Sequence, residues 1–282
     1  MKALISDIHA NLESLCAVIK DIELHSIDEI ICLGDIVGYG ADPESCTDII
    51  MDKANFSLMG NHDYALIHGP SNFNPYAAEI IYKTTEKMYP KKVEENSDTD
   101  CFEPDLYKCD HDNTISKCIL LRHTEKYRWD FIKNLPEIRK YEFFTIVHGS
   151  PLNYIRDYIY PDIIESLWNP DKIGAIFSKF DNLLFCGHTH FPCIITSDCN
   201  CIYPKSCNYH YKLNPEKKYI INTGSVGQPR DRDNRACYLL FDDLNYSIEW
   251  RRIPYDIETT RQKIIKMCGK DNWCSQRLLL GR

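Results

Sequence analysis

The chain has 282 residues, 44% hydrophobic and 26% charged, the make-up of a globular protein of one large domain or two small ones. A net charge of -8 and a pI near 5.7 argue against a general nucleic-acid binder, and no apolar stretch approaches the ~18 residues of a membrane-spanning helix. The first residues run straight into a polar motif at Asp7, which leaves no room for a signal peptide. The expected location is therefore the cytoplasm, where 14 cysteines read as reduced thiols, with metal ligation by some as the alternative.

In chain order, Ala3-Leu4-Ile5 is a short strand that ends in Asp7-Ile8-His9. Leu12, Leu15, Ala17-Val18-Ile19 and Ile22 recur at a helical period over 11–25, with Asn11 as N-cap. Ile30-Ile31-Cys32-Leu33 is a second strand, ending in Gly34-Asp35, and a helix with Pro43 in its first turn follows over 43–52. Phe56-Ser57-Leu58-Met59 is a third strand, ending in Gly60-Asn61-His62-Asp63. Strand, helix, strand, helix, strand predicts an α/β fold.

Helical patterns over 77–88 and 124–135 are closed by Pro90 and Pro136, and the polar, charge-rich stretch 91–117 between them reads as a loop or insertion. Phe143-Phe144-Thr145-Ile146-Val147 runs into His148-Gly149, and Leu183-Leu184-Phe185-Cys186 into Gly187-His188-Thr189-His190. Beyond them, strands are predicted over 193–196, 218–222, 236–241 and 247–252, with 242–245 as a hairpin connection. The stretch 197–216 reads as an elongated loop and the tail from Asp256 as a helix. The expected organisation is one domain over 1–255, with insertions near 91–117 and 197–216, and a helical tail over 256–282.

Five apolar runs thus end in Asp, Asn or His. Each one alone has an ordinary explanation: Asp35 as a loop cap, His148 neutral beside Gly149, Asn61 in a left-handed turn. Five together point to a hydrolytic metal centre at one sheet edge. Asp7 and His9, two apart on an extended segment, face the same way and can grip one ion. Asp35 can share a carboxylate between two ions, and His188 and His190 can serve the two separately. Two ions ~3.5–4 Å apart pin a phosphoryl oxygen and acidify a bridging water. Oxygen donors mixed with imidazole suit manganese, iron, zinc, cobalt or nickel better than calcium.

Asp-x-His, Gly-Asp, Gly-Asn-His-Asp, His-Gly and Gly-His-Thr-His, in this order, resemble the calcineurin-like metallophosphoesterase superfamily from Met1 to about Arg252. Ile5-Ser6-Asp7-Ile8-His9-Ala10-Asn11, Gly34-Asp35-Ile36-Val37-Gly38-Tyr39-Gly40 and Asn222-Thr223-Gly224-Ser225-Val226-Gly227-Gln228-Pro229-Arg230 resemble its small prokaryotic phosphodiesterase branch. The resemblance implies a four-layer α-β-β-α sandwich of two mixed sheets flanked by helices. It also implies one divalent ion held by Asp7, His9, Asp35 and His190, and another held by Asp35, Asn61, His148 and His188. Manganese is the first choice for both, with iron, zinc, nickel or cobalt as alternatives. His62 would face the leaving oxygen as the catalytic acid.

The protein phosphatases of that superfamily carry an Asp and an Arg where this chain has Gly38 and Tyr39, which makes protein phosphatase activity unexpected and leaves the partner of His62 open, Asp63 being adjacent. Arg230 has a weaker claim as a phosphate contact, balanced by its place in a charged loop. Cys193, Cys199, Cys201, Cys207 and His210, and likewise Cys101, Cys109, His111 and Cys118, lack the paired spacing of a structural zinc site. The expected function is hydrolysis of small phosphodiesters, nucleotides among them, through a metal-bound hydroxide. Dinucleotide polyphosphates and phosphomonoesters rank next. The alternative is an inactive protein-binding scaffold of the same fold, disfavoured because all eight motif positions are filled. The sequence carries no sign of oligomeric state.

Overall fold

The computed structural model describes residues 1–90, 125–269 and 272–282. The insertion expected near 91–117, and with it Cys101, Cys109, His111 and Cys118, lies outside the described residues, as does Thr124.

The described strands form two six-stranded sheets. The first contains β1 (Lys2–Ile5), β2 (Glu29–Cys32), β3 (Phe56–Ser57), β9 (His210–Lys212), β11 (Ala236–Asp242) and β12 (Ser247–Ile253), ordered β3-β2-β1-β11-β12-β9. The second contains β4 (Ile138–Lys140), β5 (Phe144–Val147), β6 (Leu183–Cys186), β7 (Cys193–Thr196), β8 (Cys201–Ile202) and β10 (Tyr219–Asn222), ordered β4-β5-β6-β10-β7-β8. In each sheet a parallel core, β1-β2-β3 and β5-β6-β10, is extended by antiparallel strands, so both are mixed.

The apolar runs lack alternation because both faces of each sheet are covered. Leu4, Ile31, Phe185, Ile221 and Leu239 fill the space between the sheets. Their neighbours Ala3, Ile5, Cys32, Tyr238 and Leu240 face the other way, onto α1 (Leu12–Ile22) and α2 (Pro43–Lys53). Across the second sheet Leu184, Cys186 and Ile220 pack against Ile173, Ile176 and Phe177. Those three belong to a helix over Pro170–Phe177, which becomes α6 once α3 (Asn61–His68), α4 (Pro75–Met88) and α5 (Glu125–Lys133) are counted. The layers run helix, sheet, sheet, helix. Each buried Leu, Ile or Phe contributes ~1.5–3 kcal/mol, so the inter-sheet layer holds the two halves of the site in register.

Several expectations need correction. The stretch 197–216 is not a plain loop. It carries β8, a 3-10 turn at Pro204–Cys207 and β9, two short edge strands whose polar and cysteine content hides the strand period. The tail is two helices, α7 (Ile257–Cys268) and α8 (Trp273–Leu280), because Gly269 ends the first at φ +90°. The fourth apolar run begins at Phe144; Phe143 is exposed. Asn11 caps α1 as expected, accepting from the Ser14 N–H at 3.2 Å, but the helix stops at Ile22.

Candidate metal centre

The parallel strands of both sheets deliver their carboxyl ends to a common edge, where polar side chains collect outside the hydrogen-bonded strands. Asp7 and His9 follow β1, Asp35 follows β2, His148 follows β5, and His188 and His190 follow β6. Asn61 and His62 open α3, directly after the short β3. All eight side chains are buried.

The local backbone differs from the extended segment expected. Asp7, His9, Asp35, His188 and His190 all have positive φ, between +51° and +66°. Such conformations are costly for residues with a Cβ and persist where the surroundings over-determine them. Here Asp7 N donates to Gly34 O at 3.0 Å and His9 N to Asp35 O at 2.9 Å, so the loop after β1 is clamped to the loop after β2. Asp7 and His9 converge because the chain turns, not because strand parity places them on one face.

Two groups of donor atoms result. In the first, His9 Nε2 lies 3.0 Å from His190 Nε2 and 3.9 Å from Asp7 Oδ1, and His190 Nε2 lies 3.1 Å from Asp7 Oδ1. In the second, His148 Nε2 lies 3.2 Å from Asn61 Oδ1, 3.2 Å from His188 Nδ1 and 3.4 Å from Asp35 Oδ2. Asp35 Oδ2 is also 3.7 Å from His9 Nε2, so one oxygen faces both groups. Its other oxygen is occupied, accepting from His62 N at 2.8 Å. Close approach is needed there: a Cβ on Gly60 would stand 2.1 Å from Asp35 Oδ1.

The tautomers show what these groups suit. His9 Nδ1 faces Val37 O at 3.3 Å, His190 Nδ1 faces Gln228 O at 2.6 Å, and His148 Nδ1 faces Leu33 O at 2.9 Å. A carbonyl only accepts, so each Nδ1 carries the proton and each Nε2 of the neutral ring presents a lone pair. His188 is reversed, with Nε2 facing Arg156 O at 3.4 Å and Nδ1 turned to the group. Lone pairs are thus aimed at lone pairs across ~3 Å, unfavourable unless a cation lies between them. Donors ~2.0–2.2 Å from one transition ion stand ~3–4 Å from one another, the spacing observed. The residues fit two divalent ions.

Electrostatics agrees. Burial alone would raise the Asp7 carboxyl, but the charge and hydrogen bond of His190, with His148, hold it down to about 2. Asp35 is lowered in the same way against burial, chiefly by His148. Burial works against a charged His148, yet Asp35 and Asp7 push it up to about 9, so a proton there takes the place a cation would fill. Burial lowers His9, His188 and His190.

His62 adjoins both groups; its ring nitrogen lies within 4.8 Å of the donor atoms of His9 and Asp35. Among the described residues no hydrogen bond orients the ring and its buried Nδ1 has no partner; the ring is wedged between Tyr39, His9 and Phe73, whose centroids lie 4.5, 4.8 and 4.8 Å away. Asp63 is fully engaged elsewhere, accepting from Ile36 N, Val37 N and Gly60 N at 3.0, 3.2 and 3.0 Å. The position where the phosphatases carry an Asp is filled by Gly38 backbone lying directly on His62 Nδ1.

Arg230 lies beside the centre rather than in it. Its Nη2 donates to Gln228 Oε1 at 2.9 Å, and its guanidinium carbon is 5.9 Å from the Tyr39 ring centre. Side chains that the sequence did not single out line a cavity of about 240 Å³ at Asn61 and His188: Ser71, Asn72, Phe73, Arg156 and Tyr158 among them. Tyr158 stacks on His188 at 3.7 Å. These residues come from irregular loops, where no periodicity or spacing marks them. The free thiols Cys193, Cys199, Cys201 and Cys207 stand apart from the centre, and the groups of three or more possible ligands among the described residues all belong to it.

Two packed mixed sheets meet at paired clusters of carboxylate, amide and imidazole that could hold metal ions, the arrangement of a candidate hydrolase-type metal centre. A family model described as calcineurin-like phosphoesterase matches residues 3–192, and the chain belongs to that family. It is 36% identical over 284 residues to the uncharacterized protein MJ0912 of Methanocaldococcus jannaschii, covering 100% of this chain and 98% of the relative. The crystal structure of a metallophosphoesterase from Sphaerobacter thermophilus is similar at 32% identity and a TM-score of 0.73, covering 100% of this chain and 98% of that one. The hypothetical protein PH1004 from Pyrococcus horikoshii OT3, 17% identical, covers 100% and 99% at a TM-score of 0.69 and shares the fold. No described helix is long and apolar enough to cross a membrane.

Proposed function

We propose that this phosphoesterase uses two divalent ions, manganese first among them, to hydrolyse small phosphodiesters, with nucleotides as the leading candidates. The observation that carries the reading is Asp35 Oδ2 standing 3.7 Å from His9 Nε2 and 3.4 Å from His148 Nε2, one oxygen shared by two sets of lone-pair donors. Asp7, His9, Asp35 and His190 would hold one ion, and Asp35, Asn61, His148 and His188 the other. Bound there, the ions supply Lewis-acid charge to phosphoryl oxygens and lower the pKa of the attacking water.

The rest falls to the chain. The carbonyls of Val37, Gln228 and Arg156 fix the tautomers of His9, His190 and His188, so their lone pairs are aimed before any ligand arrives, and Leu33 O turns His148 so that its Nε2 can yield a proton to the ion. Arg156, at the mouth of the cavity beside His188 and Asn61, is placed to meet a phosphate oxygen. His62, packed on Phe73 of the cavity wall, would serve the leaving oxygen. Burial is the main reason its pKa is as low as about 4, and an anionic phosphate against the ring raises its affinity for the proton that the leaving group needs.

A panel of aryl and nucleotide diesters and monoesters, assayed with manganese, nickel, zinc and iron in turn, tests the reading. Metal-dependent turnover of diesters, abolished by chelator, is expected. Absence of turnover on every ester with every metal would refute it.

A further inference from the structure

A second cavity, of about 740 Å³, opens next to the metal centre and is lined by Arg230 and by Phe191, the residue after His190. Its cationic side chains are Lys205, Arg230, Arg232, Arg252, Arg277 and Arg282, and the carboxylate of Asp231 also faces it. Asp231 pairs with Arg252 through Oδ2, its Oδ1 being buried without a partner among the described residues, and Arg252 also has Asp233 at 3.9 Å. No ion pair with a side-chain carboxylate joins Arg230, Arg232 or Arg277 among the described residues, although Arg277 Nε donates to Arg282 O and Arg230 Nη2 to Gln228 Oε1. Among the described residues Arg230 Nε and Arg252 Nη1 are buried polar atoms without a hydrogen-bond partner, and the Arg252 side chain is 4% exposed. Buried guanidinium atoms left unpaired are costly, so this wall is built for an anion. Burial, followed by the charge of Arg230, lowers Arg277 to about 10, as expected of two neighbouring cations.

The opposite lining is apolar and aromatic, with Phe191, Tyr203 and Tyr209. Phe191 directly follows His190, and the Gln228 peptide ties the two spaces together: its carbonyl accepts from His190 Nδ1 while its side chain holds Arg230. A ligand spanning both would place one phosphate at the metal centre, another on the arginines and a planar group on the aromatic wall.

We propose that this cavity is a binding site for the second phosphate and the base of a nucleotide, so that the preferred substrates are nucleotides carrying at least two phosphate groups. The proposal deepens the phosphoesterase reading and rests on it for the reaction, but the site itself is defined by binding. Aromatic faces accept nucleobases whatever their sequence, and paired arginines match phosphate oxygens through fork-shaped donor sets.

Calorimetric titration of the full chain as purified, with α,β-methylene adenosine diphosphate and with adenosine monophosphate, tests the site without turnover. The diphosphate should bind at least tenfold more tightly than the monophosphate. Arg277→Gln and Arg232→Gln should each remove most of that advantage, and Arg277→Lys should keep part of it. Equal binding of the two nucleotides, or an advantage that survives both Gln variants in folded protein, would overturn the proposal. Turnover of bis(p-nitrophenyl) phosphate, which carries one phosphate, reports separately on the phosphoesterase reading: a chain inert toward that ester but selective for the diphosphate would fail one and support the other.

Discussion

His9 and His190 face each other through their Nε2 atoms, 3.0 Å apart, while the Nδ1 of each ring faces a backbone carbonyl. In the neutral rings neither Nε2 can donate to the other. The pair is held in this position by Val37 O and Gln228 O, and a shared ion would resolve the conflict.

The bridging oxygen sets the first prediction. Asp35→Asn replaces an anionic oxygen common to both groups and should lower bound metal at both positions, whereas His9→Ala should deplete mainly one. Elemental analysis of protein purified without chelator should give about two transition ions per wild-type chain and clearly fewer for Asp35→Asn. Equal, partial loss in the two variants would argue against a bridge.

His62 should matter for turnover and not for metal. Replacement by Ala is expected to cut kcat by ~10²-fold or more, with the metal content retained. Aryl esters, whose leaving groups need little protonation, should lose less than alkyl esters. Should the loss be uniform across leaving groups, His62 only binds substrate.

Gly38 supports His62 by being small. A Cβ at that position would stand 2.1 Å from His62 Nδ1, on a backbone with φ +91°. Gly38→Ala should therefore lower kcat by about the same ~10²-fold as loss of the ring and should destabilise the chain by ~1 kcal/mol or more. Normal kcat in a folded Gly38→Ala protein would show that the ring can be displaced without consequence.

Protons should compete with metal. Burial opposes a charge on His148, but Asp35 and Asp7 raise the ring to about 9, above its ordinary 6.5. Below that value the ring is protonated, and an ion must displace the proton to reach Nε2. Metal affinity should rise with pH up to about 9, and binding near pH 7.5 should release protons, seen as a reaction heat that varies with the ionisation heat of the buffer. The same heat in every buffer would contradict this.

Much of the centre was legible in the sequence because the fold writes it into short words: an apolar run buried on both faces, then Asp, Asn or His. Asp7, Asp35, Asn61, His148, His188 and His190 were each found this way. Their backbone was not legible. Positive φ at Asp7 and His9 is imposed by the loop after β2, 25 or more residues away in sequence, and no local preference predicts it. The packing of His62 against Gly38, Tyr39 and Phe73 is likewise tertiary. Arg156 and Tyr158 lie in a loop with no hydrophobic period, and β8 and β9 are edge strands too short to show one. By contrast the missed helix α6 did carry a signal, with Asn169 as N-cap ahead of Pro170.

The most direct test of the central claim is anomalous diffraction from crystals of the metal-loaded protein, measured on either side of the manganese absorption edge. The account predicts two peaks ~3.5–4 Å apart, one beside Asp7, His9 and His190 and one beside Asn61, His148 and His188, with Asp35 between them. A single peak, or metal bound elsewhere with these side chains unliganded, would contradict it.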